Sequence, residues 1–332
     1  MEKTIAVVVT YNRCALLAEC ITALRNQTHA PDAILVVNNG STDDTEEWLC
    51  TQKDLFFITQ KNVGSGGGFH TGIQWAFTHQ YSWIWCMDDD GYPKADALEN
   101  LLLAEVPLLS LRNCAVIDKA DKKSFVWKTG HYATIDEVDV PAIKGIAHPF
   151  NGTLLHRNII ERVGLPKSKL FVWGDESEYY YRITQRNNIP VFTIANSIHY
   201  HPAAVFSFKK DWDFQQNWKM YYYVRNRFIT NQSKFNNRLT ALGSYCFFLV
   251  ALVGIILLFQ KTNKLKKLRF LSWPATDAFI NDYAATPQFI LERLSGKSNR
   301  LFRSSMQNYA RNIWSAMQVS FQPMRARNTA HV

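Results

Sequence analysis

The 332-residue chain has few of the features that mark a secreted or metal-clipped protein. Its six cysteines, at 14, 20, 50, 86, 114 and 246, form no CxxC pair and no zinc spacing, so they read as reduced, mostly buried thiols. The opening MEKTIAVVVTYNR lacks a cationic start and a cleavage site, and its apolar run is only Ile5 to Val9. That predicts no secretory signal, and any catalytic part is expected in the cytoplasm. No GxGxxG follows the first strand, which argues against a dinucleotide site. Acid is in deficit, with 28 Asp and Glu against 37 Lys and Arg, and the basic field favours anionic partners. No nucleic-acid module accompanies it, so nucleic acid is not expected among the partners.

What is present is apolar and aromatic: 47% hydrophobic and 14% aromatic, enough for a large core with rings left over for sugar stacking or a membrane interface. TIAVVV (4–9) reads as a strand buried on both faces. ALLAECITALRN (15–26) has helical spacing, and AILVVNNGSTDDT gives a second strand, completing a βαβ unit. STDDTEEWL opens a helix with Ser41 or Thr42 as its expected cap. LFFIT (55–59), a helix after the glycine cluster, and YSWIWCM follow. The fold class is therefore α/β, with the loops TYNR, NNGSTDD, NVGSGGG and DDDG all at carboxyl ends of strands, where open α/β sheets bind ligands. Less regular strands, CAVID, SFVWKTG and TLLHR, precede a helix-like SEYYYRITQRNN and the strand PVFTIANSIHYH.

Composition changes after about residue 235, which predicts a domain over 1–235 and a helical, membrane-associating region over 236–332. Residues 239–259 carry no charge over 21 positions, about 31 Å as a helix at roughly 1.5 Å per residue, enough to cross a bilayer core. Basic residues flank both ends, Arg225, Arg227, Lys234 and Arg238 before and Lys261 to Arg269 after. The positive-inside rule then wants both ends in the cytoplasm, favouring a re-entrant or interfacial helix over a single crossing. A tail at about 300–320 has apolar and basic residues near helical spacing, which suits an anionic membrane surface or packing on its own domain.

The sharpest feature is CMDDDGYP. Three adjacent carboxylates raise one another's pKa unless a cation offsets them, so the triplet is a solvated turn or a metal site. In an extended segment Asp88 and Asp90 point one way and Asp89 the other. Hard oxygen ligands of this kind suit Mn²⁺ or Mg²⁺.

Taken together and in this order, VVVTYNR, VVNNGSTDDT, NVGSGGGFHTG and MDDDG resemble the inverting family 2 glycosyltransferases of GT-A fold, in particular the galactofuranosyl- and rhamnosyltransferase branch, over roughly residues 4–230. The resemblance implies a nucleotide-sugar donor, UDP-galactofuranose first and dTDP-rhamnose second. It also implies a polyprenyl-diphosphate-linked acceptor glycan such as O-antigen or capsule, and a site at the cytoplasmic face of the plasma membrane. Thr10, Tyr11, Asn12 and Arg13, with Asn38 and Asn39, would hold the nucleoside. Relatives often carry Asp at the Asn38 position, which leaves the base contact open. Asn62, Gly66 and Gly67 would let the backbone approach phosphate at a helix N-terminus. Asp88 and Asp89 would meet the donor, and Asp88 and Asp90 the metal, with His201 or His199 as a further ligand. In FVWGDESEY, Glu176 would be the catalytic base and Asp175 would orient the acceptor, in that order or reversed; acids at a helix start are the plain alternative. Trp173 stacking on sugar, or lying in the core, and Glu178 and Arg225 complete the expected acceptor contacts. A non-catalytic nucleotide-sugar-binding protein is the competing class, and it would not need the acidic pair.

Overall fold

The β-branched run becomes β1 (Thr4–Thr10), and every residue of it is buried. Ile5, Val7 and Val9 face one helix layer, Ala6 and Val8 the other, which is the two-residue period of a strand covered on both sides. The computed structural model describes residues 2–203, 208–213 and 217–295. After β1 come α1 (Cys14–Arg25), β2 (Ala33–Asn38), α2 (Thr45–Thr51), β3 (Phe56–Thr59), α3 (Gly64–Thr78) and β4 (Trp83–Asp88). Strands β3, β2, β1 and β4 lie parallel in that order, so their carboxyl ends share one edge.

The second half adds β5 (Tyr92–Pro93), α4 (Ala97–Leu103), β6 (Leu111–Asp118), β7 (Ser124–Thr129), β8 (Tyr132–Thr134), β9 (Ala142–Lys144), β10 (Asn151–His156), α5 (Arg157–Val163), α6 (Asp175–Tyr181) and β11 (Val191–His201). The sheet continues β4-β10-β6-β11-β5. Strand β10 runs antiparallel to both neighbours, which makes the sheet mixed. The architecture is a mixed α/β sheet with a helical C-terminal region: α7 (Met220–Lys234), α8 (Arg238–Phe259), α9 (Lys264–Phe279) and α10 (Pro287–Leu294).

Three local expectations change. Neither Ser41 nor Thr42 caps α2; it starts at Thr45, whose N–H and hydroxyl donate to Asp43 Oδ1 at 3.2 and 2.5 Å. The glycine cluster is not a loop before α3 but its first turns, from Gly64 onward. Of the six cysteines only Cys20, Cys86 and Cys114 are buried, while Cys50 and Cys246 are exposed.

Helix α8 packs Ala241, Tyr245, Leu252 and Ile256 inward, and α7 contacts α6, α8 and α9. The outward face of α8 is bare, with Leu239, Phe247, Val250 and Leu258 each 69–78% exposed. It is the one helix among the described residues long and apolar enough to cross a membrane. The expected amphipathic segment at 300–320 lies outside the described residues.

Candidate active site

Strand β4 delivers Asp88 to the sheet edge, and the chain then turns. The alternation of an extended segment therefore does not continue through Asp89 and Asp90. Asp89 leans toward β1, accepting from Thr10 Oγ1 at 2.7 Å and from Arg13 Nη1 at 3.1 Å. The same Arg13 nitrogen donates to Asp90 Oδ2 at 2.6 Å, so one guanidinium neutralises two of the three acids. Asp88 has no such partner: burial first, then the charges of Asp90 and Glu176, push its carboxyl well above the usual range.

Strand β5 follows the triplet and pairs with β11 through His199–Pro93 and Tyr200–Tyr92. That pairing brings His201 beside the acids, its Nε2 3.3 Å from Asp90 Oδ1. Against the cost of burial, His201 and Arg13 hold the Asp90 carboxyl down at about 2. His199 goes elsewhere. It is fully buried under Gly91, where a Cβ would come within 2.3 Å of its Nε2, and burial pushes its pKa down to about 3. It does not join His201 at Asp90.

The donor set fits a divalent cation. Asp90 Oδ1 is buried without a hydrogen bond and stands next to an imidazole nitrogen, and the Asp88 carboxyl beside them is pushed up by burial and by the charge of Asp90. Among the described residues no three His, Cys, Asp or Glu side chains are grouped so as to hold a metal ion by themselves, and the pair in contact here is Asp90 with His201.

The acidic pair comes from a strained loop. Phe171, Trp173 and Gly174 all have positive φ, at 67°, 56° and 116°. Two elements hold them there. From α7, the Asn226 amide nitrogen donates to the carbonyls of Leu170, Val172 and Trp173 at 2.7, 3.0 and 2.9 Å. From α3, Gly66 N–H and Ser65 Oγ donate to the Phe171 carbonyl at 3.1 and 3.4 Å. Gly64 allows this approach, since a Cβ there would sit 2.1 Å from that carbonyl oxygen. Asp175 then docks on the start of α3, accepting from Ser65 Oγ at 3.0 Å, where the helix dipole favours an anion. Glu176 is left facing the cleft. Burial first, and then the charge of Asp175, push its carboxyl above the ordinary range.

Several expected contacts are structural instead. Glu178 is fully buried and saturated by Lys167 at 2.7 Å, Arg182 at 3.1 and 3.0 Å and Ser233 at 2.7 Å, so it cannot meet an acceptor. Arg225 is equally buried, donating to the Leu170 carbonyl and stacked among Tyr221, Tyr222 and Tyr283. Trp173 is part-buried and packs edge-on against Tyr223. Asn38 and Asn39 tie the β2 end to Thr59, Ser41, Gln60 and Gly64 rather than projecting outward. Asn62 accepts from Gly64 N–H, and Asn12 stitches the β1 loop to Ser41 and Thr42. Added Cβ atoms at Gly66 and Gly67 would meet Asp175 and Val63, so these glycines serve close packing within the protein. Tyr11, 45% exposed, and Arg13 remain at the mouth.

Four residues here have no local signal in the sequence. Ser65 anchors Asp175, and Asn151 lies beside Glu176 because a bulge at Gly152 turns the start of β10 toward the site. Lys219, just before α7, lies within electrostatic reach of Asp88, Asp90 and Arg13. His148 lines a cavity next to Glu176.

A family model for glycosyl transferase family 2 matches residues 5–108. Galactofuranosyltransferase GlfT1 of Mycobacterium tuberculosis is 30% identical over 222 residues, covering 63% of this chain and 73% of that protein. The protein of that name from Mycolicibacterium smegmatis is 31% identical over 223 residues, 63% and 74% respectively. Among solved structures, S. aureus TarS 1–349 superposes with a TM-score of 0.51 at 13% identity, covering 89% of this chain and 82% of that one, a likeness of fold alone.

Proposed function

The chain belongs to the family 2 glycosyltransferases, and from that premise we propose an inverting, metal-dependent galactofuranosyl transfer from UDP-galactofuranose to a lipid-linked cell-surface glycan. The observation that carries it is the pairing of an acid-imidazole cluster at Asp90 and His201 with a separate, half-buried carboxylate at Glu176 whose pKa the Asp90 charge helps to raise. A donor must have its leaving diphosphate neutralised while the acceptor hydroxyl is deprotonated on the opposite side, and the cleft separates these two tasks. The names of the relatives point to galactofuranose as the sugar.

Asp88, Asp90 and His201 would hold Mn²⁺ or Mg²⁺, which when bound supplies Lewis-acid neutralisation of the diphosphate. Tyr11 offers its exposed ring to the nucleoside base, and Arg13 sets the acid loop by pairing with Asp89 and Asp90. Lys219 adds positive charge near the diphosphate side of the cleft. The Glu176 carboxylate accepts the acceptor hydroxyl proton as that oxygen bonds to the anomeric carbon and the bond to UDP breaks. Its raised pKa suits a base working near neutral pH. Asp175, fixed by Ser65, orients the loop and keeps negative charge beside the base.

The bare apolar face of α8, with Arg238 at one end and Lys261, Lys264 and Lys266 beyond the other, supports docking on the anionic cytoplasmic face of the membrane. The inward face of α8 packs along its whole length, from Ala241 to Ile256, which supports an in-plane over a crossing orientation. The test is a donor panel. Purified protein with a lipid-linked acceptor and Mn²⁺ is expected to consume UDP-galactofuranose and to stop on adding EDTA. Turnover of dTDP-rhamnose alone, or transfer indifferent to EDTA, would overturn the reading.

A further inference from the structure

With Glu178 and Arg225 buried in ion pairs and aromatic stacking, the acceptor needs another place to bind. We infer that the cavity between α6 and the segment leading into β10 is the subsite for one sugar ring of the acceptor glycan, with Tyr181 and His148 as its recognition residues. The inference rests on Glu176 being the base.

The cavity is about 130 Å³ and is lined by Glu176, Ser177, Tyr180 and Tyr181 from α6 and by His148 and Pro149 opposite. At roughly 30 Å³ per water it holds the equivalent of about four waters. That matches a single ring edge with its hydroxyls and falls well below the roughly 300 Å³ at which drug-sized ligands are enclosed. Glu176 and Tyr180 are four residues apart on α6, as are Ser177 and Tyr181, so the base and both rings share one side of the helix. Tyr180 is fixed by donating to the Gly145 carbonyl at 2.5 Å, leaving ring surface for the apolar face of a sugar.

His148 supplies the polar counterpart. Its Nε2 is covered by the surrounding protein and has no hydrogen bond, so a turn of the ring toward the cavity would pair it with a sugar hydroxyl. Burial pushes its pKa down to about 4, so the imidazole is neutral near pH 7 and pairs with a hydroxyl rather than an anion. The indole of Trp127 lies 5.1 Å from the rings of both His148 and His201. The Trp127 indole therefore stands between the cavity's His148 and the Asp90–His201 pair, and Glu176 is on the cavity wall. A ring seated there presents a hydroxyl to the base, its proton passing to the Glu176 carboxylate and its oxygen to the anomeric carbon as UDP departs.

The experiment uses the full chain in detergent with UDP-galactofuranose and octyl β-galactofuranoside as the probe acceptor. His148→Ala and Tyr181→Ala are expected to raise the acceptor KM about tenfold or more with the donor KM unchanged, while Tyr181→Phe, which keeps the ring, restores it. Ser177 is exposed on α6, so Ser177→Trp fills the cavity from outside without touching the core and should give the same split. Unchanged acceptor KM in Ser177→Trp, or donor and acceptor KM rising together, overturns the subsite. A Glu176→Gln protein that still turns over instead overturns the base assignment on which the subsite rests.

Discussion

Asn226→Ala tests how α7 governs the active site. The Asn226 side chain is fully buried, and its amide nitrogen is shared among three carbonyls at 2.7–3.0 Å. An amide has two N–H donors, so at about 1 kcal/mol net per bond the direct loss is ~2 kcal/mol. Leaving those carbonyls unsatisfied in a buried loop adds ~1–2 kcal/mol. The loop also loses the restraint that keeps Phe171 and Trp173 at positive φ, a conformation that costs about 1–3 kcal/mol per residue and relaxes when released. Stability should fall by ~3 kcal/mol in urea titration. The catalytic effect should be larger: Glu176 lies two residues beyond Gly174, and a shift of about 1 Å in a reacting group costs roughly a hundredfold in kcat. The donor site on β1 and β4 is untouched, so donor KM should hold. A variant that loses stability as expected yet keeps kcat within twofold would refute the claim that α7 positions the base.

Glu178→Ala should destabilise by ~3 kcal/mol, because it strands Lys167 and Arg182 beside each other around a buried site, while leaving the acceptor KM near wild type. The pH profile of kcat carries a sign. A carboxyl whose pKa is raised stays protonated to higher pH, so base activity is lost as pH falls through a value above the usual ~4.3 of Glu. Asp175→Asn removes the neighbouring charge that helps raise it, and should move that acid limb to lower pH; no movement would contradict the coupling. Phe247→Asp, on the bare face of α8, should reduce co-sedimentation with phosphatidylglycerol vesicles at least tenfold, since burying a Phe contributes about 2 kcal/mol.

The alternation of strand and helix through residue 90 was legible because it is local: TIAVVV and WIWCM are buried on both faces and their composition says so. The triplet was legible as a charge problem, but its geometry was not, since Arg13, just before α1, and Thr10, at the end of β1, reach it from 76 and 79 residues away in sequence. The glycine cluster misled for a related reason. Its close approach is to Phe171, Asp175 and Val63 rather than to a ligand, and nothing local distinguishes these. Glu178 and Arg225 look like site residues because acids and arginines near a motif usually do. Their burial depends on α7 folding back across α6, a contact over about 50 residues that no spacing encodes. Asn151 was invisible because a bulge at Gly152, and not a motif, sets its direction.

The most direct measurement is kcat of Glu176→Gln with UDP-galactofuranose and a lipid-linked acceptor, with donor affinity measured on the same protein. The amide keeps the shape and removes the proton acceptor, so kcat should fall about a thousandfold with donor affinity unchanged. Turnover within a few-fold of wild type would contradict Glu176 as the base, and with it the division of the cleft into a leaving-group side and a proton-accepting side.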